Sequence, residues 1–396
     1  MLFSLAAILL FGMFMGWLCM KMQLPSLLGM LFTGILLGPY VFNLIDPSIL
    51  SISAELRRIA LIIILIRAGL SLNLNDLKKV GRPALLMCFL PACFEILGMV
   101  VLAPRLLGIS ILDAAIMGAV VGAVSPAVIV PKMLKLMEEG YGKAHSIPQL
   151  ILAGASVDDV FVIVLFTAFT GLAQGESLSL KSFLNIPLSI GIGIALGAFV
   201  GFILIGLFTR FHIRDTVKVI ILLCVSFLFV TLEDTLANVI PFASLIAVMV
   251  LGIVAQKKRA PLAVRLSSKF NKLWVASEIL LFVLVGATVD INYAFSAGFM
   301  PFLLILGVLI FRMLGVYLCL IKTELTKKER IFCMIAYTPK ATVQAAIGGI
   351  PLSMGLPSGN IILTVAVIAI LLTAPLGAFS IDISYRKLLN NTSANC

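Results

Sequence analysis

The chain has 396 residues, 61% of them hydrophobic and only 12% charged, with a mean hydropathy of +1.18. A soluble domain carries about 25% charged residues, so the composition excludes that class. The net charge of +11 would suit a nucleic-acid partner if it were spread over a soluble surface. Here most basic residues fall in short loops between apolar runs, which points to a membrane surface instead.

Apolar runs long enough to cross a bilayer recur from end to end, and the spacing predicts an all-α polytopic membrane protein with about 13 transmembrane helices. They fall near residues 2–20, 25–45, 55–73, 83–103, 111–135, 148–173, 183–208, 217–236, 240–256, 273–291, 298–321, 330–352 and 360–383. The alternating short segments of a membrane β-barrel are not evident. No connecting loop could house a soluble domain. Loops after odd-numbered spans carry clusters such as Lys257, Lys258 and Arg259, or Lys322, Lys327, Lys328 and Arg330. Loops after even-numbered spans carry only Arg57, Arg58, Arg105 and Lys181. By the positive-inside rule the N-terminus is outside and the C-terminus cytoplasmic.

The first span, Leu2 to Met20, has no basic residue before it and no small-residue cleavage site; Lys21 follows it. It is expected to be retained as a helix. Span two carries Gly34 and Gly38, a small-residue pair that allows close helix contact, within the chain or at a dimer interface. Arg67 in span three either snorkels to a surface or pairs with an acid elsewhere. Span four carries Glu95. Of the seven cysteines, Cys19, Cys88, Cys93, Cys224, Cys319 and Cys333 fall in apolar runs without metal-ligand spacing, as core packing residues do.

Span five reads "GAVVGAVSPAVIVPKML", with Ser125 and Pro126, then Pro131, near its middle. Proline removes a backbone donor and clashes with the preceding turn, so a break is expected at Pro126 and at Pro131. Span six carries Asp158 and Asp159 inside "GASVDDVFVI". The apolar residues before the pair argue against a surface N-cap, and neighbours about 100° apart on a helix can border one cavity. Span seven has a glycine ladder, Gly193, Gly197 and Gly201. Glu233 and Asp234 end span eight and read as a solvated loop. Arg312 lies in span eleven. Span twelve, "CMIAYTPKATVQAAIGGIPL", has Thr338, Pro339 and Lys340 at its middle, a second break. His145 and His212 read as solvated loop residues, which leaves aspartate as the proton carrier.

The two interrupted spans stand an odd number of spans apart, so they cross the membrane in opposite senses. Interrupted helices at matching places in two inverted halves mark a transporter's binding site. Glu95 precedes the first break and Arg312 the second by similar lengths of chain, which suggests an ion pair across the core. Lys340 is placed to compensate helix C-terminal dipoles, as a structural charge or beside the ion. Two carboxylates with the hydroxyls of Ser125, Ser156 and Thr342 and unwound carbonyls form an oxygen site for a hard monovalent cation. Burial and mutual repulsion favour protonation of such carboxyls, so proton and cation would compete. Cation/proton exchange leads. Na⁺ or Li⁺ against K⁺ stays open, as does cation-coupled symport of an organic anion. No nucleophile–base constellation suggests an enzyme, no cofactor is expected, and no nucleic acid.

The segments "AVSPAVIVPKML", "GASVDDV" and "YTPKATVQAAIG", in this order, resemble the NHA branch of the sodium/proton exchangers in the cation:proton antiporter-2 clan, over roughly residues 25–383. The resemblance implies the sodium/proton antiporter fold, with inverted repeats and two crossed discontinuous helices. It also implies elevator-type alternating access and a homodimer among membrane lipids, in the cell (inner) membrane. Within one transporter unit, 1–383, it implies core helices near 83–173 and 298–383 and dimerisation helices near 1–73 and 217–291. Residues 183–208 would link them and 384–396 form a cytoplasmic tail. It implies Asp159 as the main carboxylate for Na⁺ or Li⁺ and Asp158 as its partner. Arg312 stands where related bacterial antiporters have lysine. Arginine effectively cannot lose its proton, so the aspartates alone would carry protons.

Overall fold

The computed structural model of the protein describes residues 1–71, 81–173, 180–211, 213–236, 242–296 and 298–391. His212 and the side chains of Ser156 and Lys181 lie outside the described residues. The helices, in chain order, are α1 (Leu2–Lys21), α2 (Ser26–Leu37), α3 (Pro47–Ser51), α4 (Ser53–Ser71), α5 (Arg82–Met87), α6 (Leu90–Leu107), α7 (Ile111–Val121), α8 (Pro126–Glu139), α9 (Ile147–Ala173) and α10 (Leu180–Arg210). They continue as α11 (Asp215–Leu236), α12 (Ser244–Lys258), α13 (Ala260–Ala287), α14 (Ile291–Ser296), α15 (Met300–Cys319), α16 (Lys327–Ala336), α17 (Thr342–Ile347), α18 (Ile350–Ser353) and α19 (Gly359–Leu388). Among the described residues, nine helical stretches are long and apolar enough to cross a membrane.

Several boundaries differ from the expected spans for local reasons. The second span stops at Leu37, because Gly38 precedes Pro39 and is extended; a residue before proline is pushed out of the helical region. The fourth is two helices, α5 and α6, interrupted at Cys88 and Phe89 ahead of Pro91. The first break in span five comes at 122–125, and Pro126 opens α8. Pro131 does not break the helix: α8 runs through it to Glu139. A single interior proline removes one hydrogen bond, and the surrounding turns hold.

The chain forms two compact units. The first comprises Met1–Ala54, Asp76–Ala173 and Ile279–Cys396, the second Glu55–Asn75 and Gln174–Glu278. In the second unit the glycine ladder of α10 faces α12. A Cβ at Gly193 would lie 2.6 Å from the Ala243 carbonyl oxygen, and one at Gly197 2.5 Å from that of Ala247. The ladder therefore serves packing within the chain. Glu233 and Asp234 are not a solvated loop. They sit on the last turns of α11, where Glu233 accepts from Ser244 and Asp234 takes both guanidinium nitrogens of Arg58 at 2.9 Å. The acid facing Arg67 is Glu278.

In the first unit α2 lies against the end of α13. A Cβ at Gly34 would meet the Val283 carbonyl oxygen at 2.0 Å and one at Gly38 the Ala287 Cα at 2.9 Å. These glycines, too, serve internal packing. Helices α6 and α15 pack closely: Gly315 rests on the Pro91 backbone, and Gly98 faces the Phe311 ring. A buried cluster that includes Met87, Met133, Ile151, Val316, Phe332, Tyr337 and Ile381 joins α5, α8, α9, α15, α16 and α19. It holds one half of each interrupted helix, α8 and α16, to the aspartate-bearing α9.

The start of α16 is fixed by polar chemistry. Thr326 and Glu329 form a reciprocal capping box. His145 is not a free loop residue either: its Nδ1 lies 2.9 Å from Glu329 Oε1, and the Glu329 side chain is buried. Glu329 precedes the apolar run that begins at Ile331. Burial pushes its carboxyl up, but the hydrogen bonds from His145 and Thr326 outweigh burial and hold it below the ordinary glutamate value. A carboxyl held low in the folded state contributes stability above its unfolded pKa, and loses it as pH falls through the folded one. Glu329→Gln is therefore expected to be less stable than wild type at neutral pH, with the gap closing below the ordinary value of about 4.3. Thermal unfolding of both proteins across pH checks this; a gap independent of pH would refute the assignment.

Candidate ion site at the helix crossing

Both discontinuous helices are interrupted at one place. The Ser125 N–H, at the first break, donates to the Pro339 carbonyl in the second at 2.8 Å. The four residues 122–125 and the stretch 338–341 are unwound there. Each break ends a helix, and a helix end leaves carbonyls without intrahelical donors and a partial negative charge. Cationic side chains meet that charge at both ends.

Arg312, on α15, is fully buried and uses its whole fork. Nε donates to the Tyr337 carbonyl at the end of α16 (2.6 Å), and Nη1 to Glu95 Oε2 (2.6 Å) and to the Gly122 carbonyl just past α7. Nη2 donates to Asp158 Oδ2 at 2.9 Å. The guanidinium also lies 5.2 Å from the centre of the Tyr337 ring. Lys340, equally buried, donates to Glu95 (2.8 Å) and to the carbonyl of Val121, the last residue of α7 (2.7 Å). Glu95 thus stands between two cations, and each cation also meets a helix C-terminal end. The Glu95–Arg312 contact suggested by the matching halves is present.

The two aspartates occupy different environments. Asp158 is wholly buried and held: its Oδ2 accepts from Arg312 and from the Val124 N–H at 3.0 Å. Its Oδ1 has no donor. Asp159 remains 8% exposed, and its buried Oδ1 also lacks a donor. Three further buried oxygens are unpartnered around the crossing: Ser125 Oγ, Thr342 Oγ1 and Gln344 Oε1. Buried polar atoms without partners are uncommon, and a group of oxygens that all lack donors suits a cation. Of the unwound carbonyls expected as ligands, those of Gly122 and Ala123 accept from side chains, as does that of Val121 at the end of α7.

Two participants, Tyr337 and Thr373, were not singled out from the sequence, and Gln344 reads there only as a polar residue after the second break. The Tyr337 hydroxyl donates to the Met87 carbonyl at 3.0 Å and sets the ring beneath Arg312. Thr373 on α19 accepts from the Lys340 N–H at 3.0 Å. Gln344 donates to the carbonyls of Val121 and Ala123. Tyr337 adjoins the Thr-Pro-Lys break and Gln344 closely follows it, and that proximity was the available signal. Thr373 carries none, since it lies on a separate helix.

Known proteins are similar to this chain over most of its length. The family described as sodium/hydrogen exchanger, transmembrane, matches residues 6–386. Sodium/hydrogen exchanger 9B2 of Mus musculus is 33% identical over 385 residues, covering 93% of this chain and 69% of the relative. Sodium/hydrogen exchanger 9B1 of Homo sapiens is 32% identical over 389 residues, covering 92% of this chain and 73% of the relative. The sodium proton antiporter MjNhaP1 of Methanocaldococcus jannaschii, solved at pH 8, shares the fold with a TM-score of 0.87 at 20% identity, covering 97% of both chains. An apolar helical chain with two interrupted helices meeting at buried charges, matched by that family from residue 6 to residue 386, is a transmembrane sodium/hydrogen exchanger by family.

Proposed function

We propose that the protein is a secondary active antiporter that exchanges Na⁺ or Li⁺ for H⁺ at Asp159, with Asp158 as the fixed partner carboxylate. The observation that carries this reading is the difference between the two side chains. Asp158 is tied through Oδ2 to Arg312 and to the Val124 N–H; each aspartate keeps one buried oxygen without a donor, but Asp159 makes no such tie and retains some exposure. Ser125 and Thr342 supply hydroxyl oxygens for the same ion, and Ser156 stands on the same helix as the aspartates.

Charge balance supports one-for-one exchange. With all five groups ionised, Glu95, Asp158 and Asp159 against Arg312 and Lys340 leave one negative charge uncompensated. One monovalent cation or one proton neutralises it. An unneutralised charge is costly in a low-dielectric interior. A site that changes access only when neutral must carry an ion one way and a proton the other. Arg312 keeps its proton and Lys340 is engaged with Glu95 and the Val121 carbonyl; in this reading aspartate carries the proton.

Elevator-type alternating access is part of this reading, supported by the resemblance to sodium/proton antiporters. Core helices near 83–173 and 298–383 would carry the site, helices near 1–73 and 217–291 would form the scaffold of a homodimer, and 183–208 would link them. The alternation of basic loops supports an N-terminus outside and a cytoplasmic C-terminus in the cell (inner) membrane.

The test is transport by purified protein in liposomes with an acid interior and a pH-sensitive dye. Dye recovery on external Na⁺ and Li⁺, absent with choline and lost in Asp159→Asn, is expected. Recovery with K⁺ as well would move the assignment to K⁺/H⁺ exchange. No recovery with any cation, in vesicles shown to be tight, would turn the search to cation-coupled uptake of an organic anion.

A further inference from the structure

The geometry points to Gln344 as a determinant of cation size at this site, an inference that rests on the exchange reading above. Gln344 lies on α17, just after the second break, and is 1% exposed. Its amide nitrogen reaches across the crossing and donates to two carbonyls at the first break, that of Val121 at the end of α7 at 3.1 Å and that of Ala123 at 2.9 Å. Between them, the Gly122 carbonyl accepts from Arg312, and Val121 also accepts from Lys340. All three consecutive carbonyls are therefore occupied by protein donors.

Unwound carbonyls are the usual material of a site for a larger dehydrated cation, where the number of oxygen dipoles offered to the ion helps decide which ion is accepted. Here the same carbonyls are withheld. Among the buried side-chain oxygens around the crossing, those with neither a donor nor a paired cation are few: one each on Asp158, Asp159, Ser125 and Thr342, with the Oε1 of Gln344 itself. A sparse set dominated by carboxylate charge favours a small, charge-dense ion. Gln344 keeps it sparse, because it alone of the three donors carries no charge and leaves the Glu95 network intact when removed. Without it the Ala123 carbonyl has no donor, and Val121 has only Lys340. Gln344 also ties the second broken helix to the backbone that places the Val124 N–H on Asp158, so the carbonyl set and the fixed carboxylate are held by one side chain.

The experiment compares wild type, Gln344→Ala and Gln344→Asn in the liposome assay, with apparent KM and maximal rate for Na⁺, Li⁺ and K⁺. Asparagine keeps the amide but is one methylene too short to hold both carbonyls. For alanine, the ratio of the K⁺ KM to the Na⁺ KM is expected to fall about tenfold, equivalent to roughly 1.4 kcal/mol of lost discrimination, with asparagine intermediate. A uniform drop in rate with the ratio unchanged would assign Gln344 a purely structural role and overturn the inference. Wild-type protein that already accepts K⁺ as readily as Na⁺ would overturn it too, while leaving cation/proton exchange standing. Wild-type vesicles that exchange no cation would remove both. If a variant is too unstable to reconstitute, its thermal stabilisation in detergent by Na⁺ relative to K⁺ reads the same ratio as binding. An unchanged difference there counts equally against the proposal.

Discussion

Arg312→Ala is expected to destabilise the protein by about 3–5 kcal/mol, the usual cost of removing one partner from a buried ion pair. The size of the effect follows from how many groups converge on one guanidinium. Asp158 would keep only the Val124 N–H, and the carbonyls of Gly122 and Tyr337 would lose the donors they share with the fork. Each buried acceptor left unpaired adds about 1–3 kcal/mol of desolvation cost, and Lys340 cannot reach across to replace the fork while it serves Glu95 and Val121. Thermal unfolding in detergent measures the loss; a variant as stable as wild type would show that the network is not what holds the two breaks together. Arg312→Lys separates charge from shape. Lysine restores one positive charge but not the planar fork, so intermediate stability is expected. Lysine can also lose its proton in a low-dielectric site. Transport by this variant should therefore show a second titrating step beyond that of the aspartates, and an unchanged pH profile and stoichiometry would count against a special role for arginine.

The second large effect is a contrast between neighbours. Asp159→Asn is expected to abolish exchange while leaving thermal stability at or above that of wild type, since the change removes a buried charge whose Oδ1 accepts no hydrogen bond. Asp158→Asn is expected to cost stability, by about 1.5–3 kcal/mol for a weakened bond to a charged donor, because its Oδ2 is where Arg312 and Val124 converge. Unfolding curves and transport rates on the same preparations separate the roles. Loss of transport with stability intact marks the carrier; loss of both marks the structural anchor. If Asp159→Asn still exchanged cations for protons, or if the two variants were destabilised alike, the division of labour between the aspartates would be wrong.

Most of the architecture was legible in one dimension because a bilayer imposes strict local requirements. Every spanning segment must be apolar and must satisfy its own backbone, so apolar runs, basic loops and the prolines at 126 and 339 each leave a mark at their own position. The charges inside apolar runs were legible for the same reason: Glu95, Asp158, Asp159, Arg312 and Lys340 stand where a charge is expensive, and expense implies a purpose. Pro131 misled because proline signals a possible break, while packing decides whether the helix continues. The tertiary structure alone decided who meets whom. That Glu278 faces Arg67, that Glu329 holds His145, and that Gln344 occupies carbonyls on another helix are facts about side chains far apart in the chain. Hydropathy records how costly each group is to bury, but the partner that offsets the cost is chosen by helix packing, and a single sequence carries no record of that choice. The same holds for the aspartate pair. As adjacent letters they are equivalent; the fold distinguishes them by turning one toward Arg312 and leaving the other partly exposed.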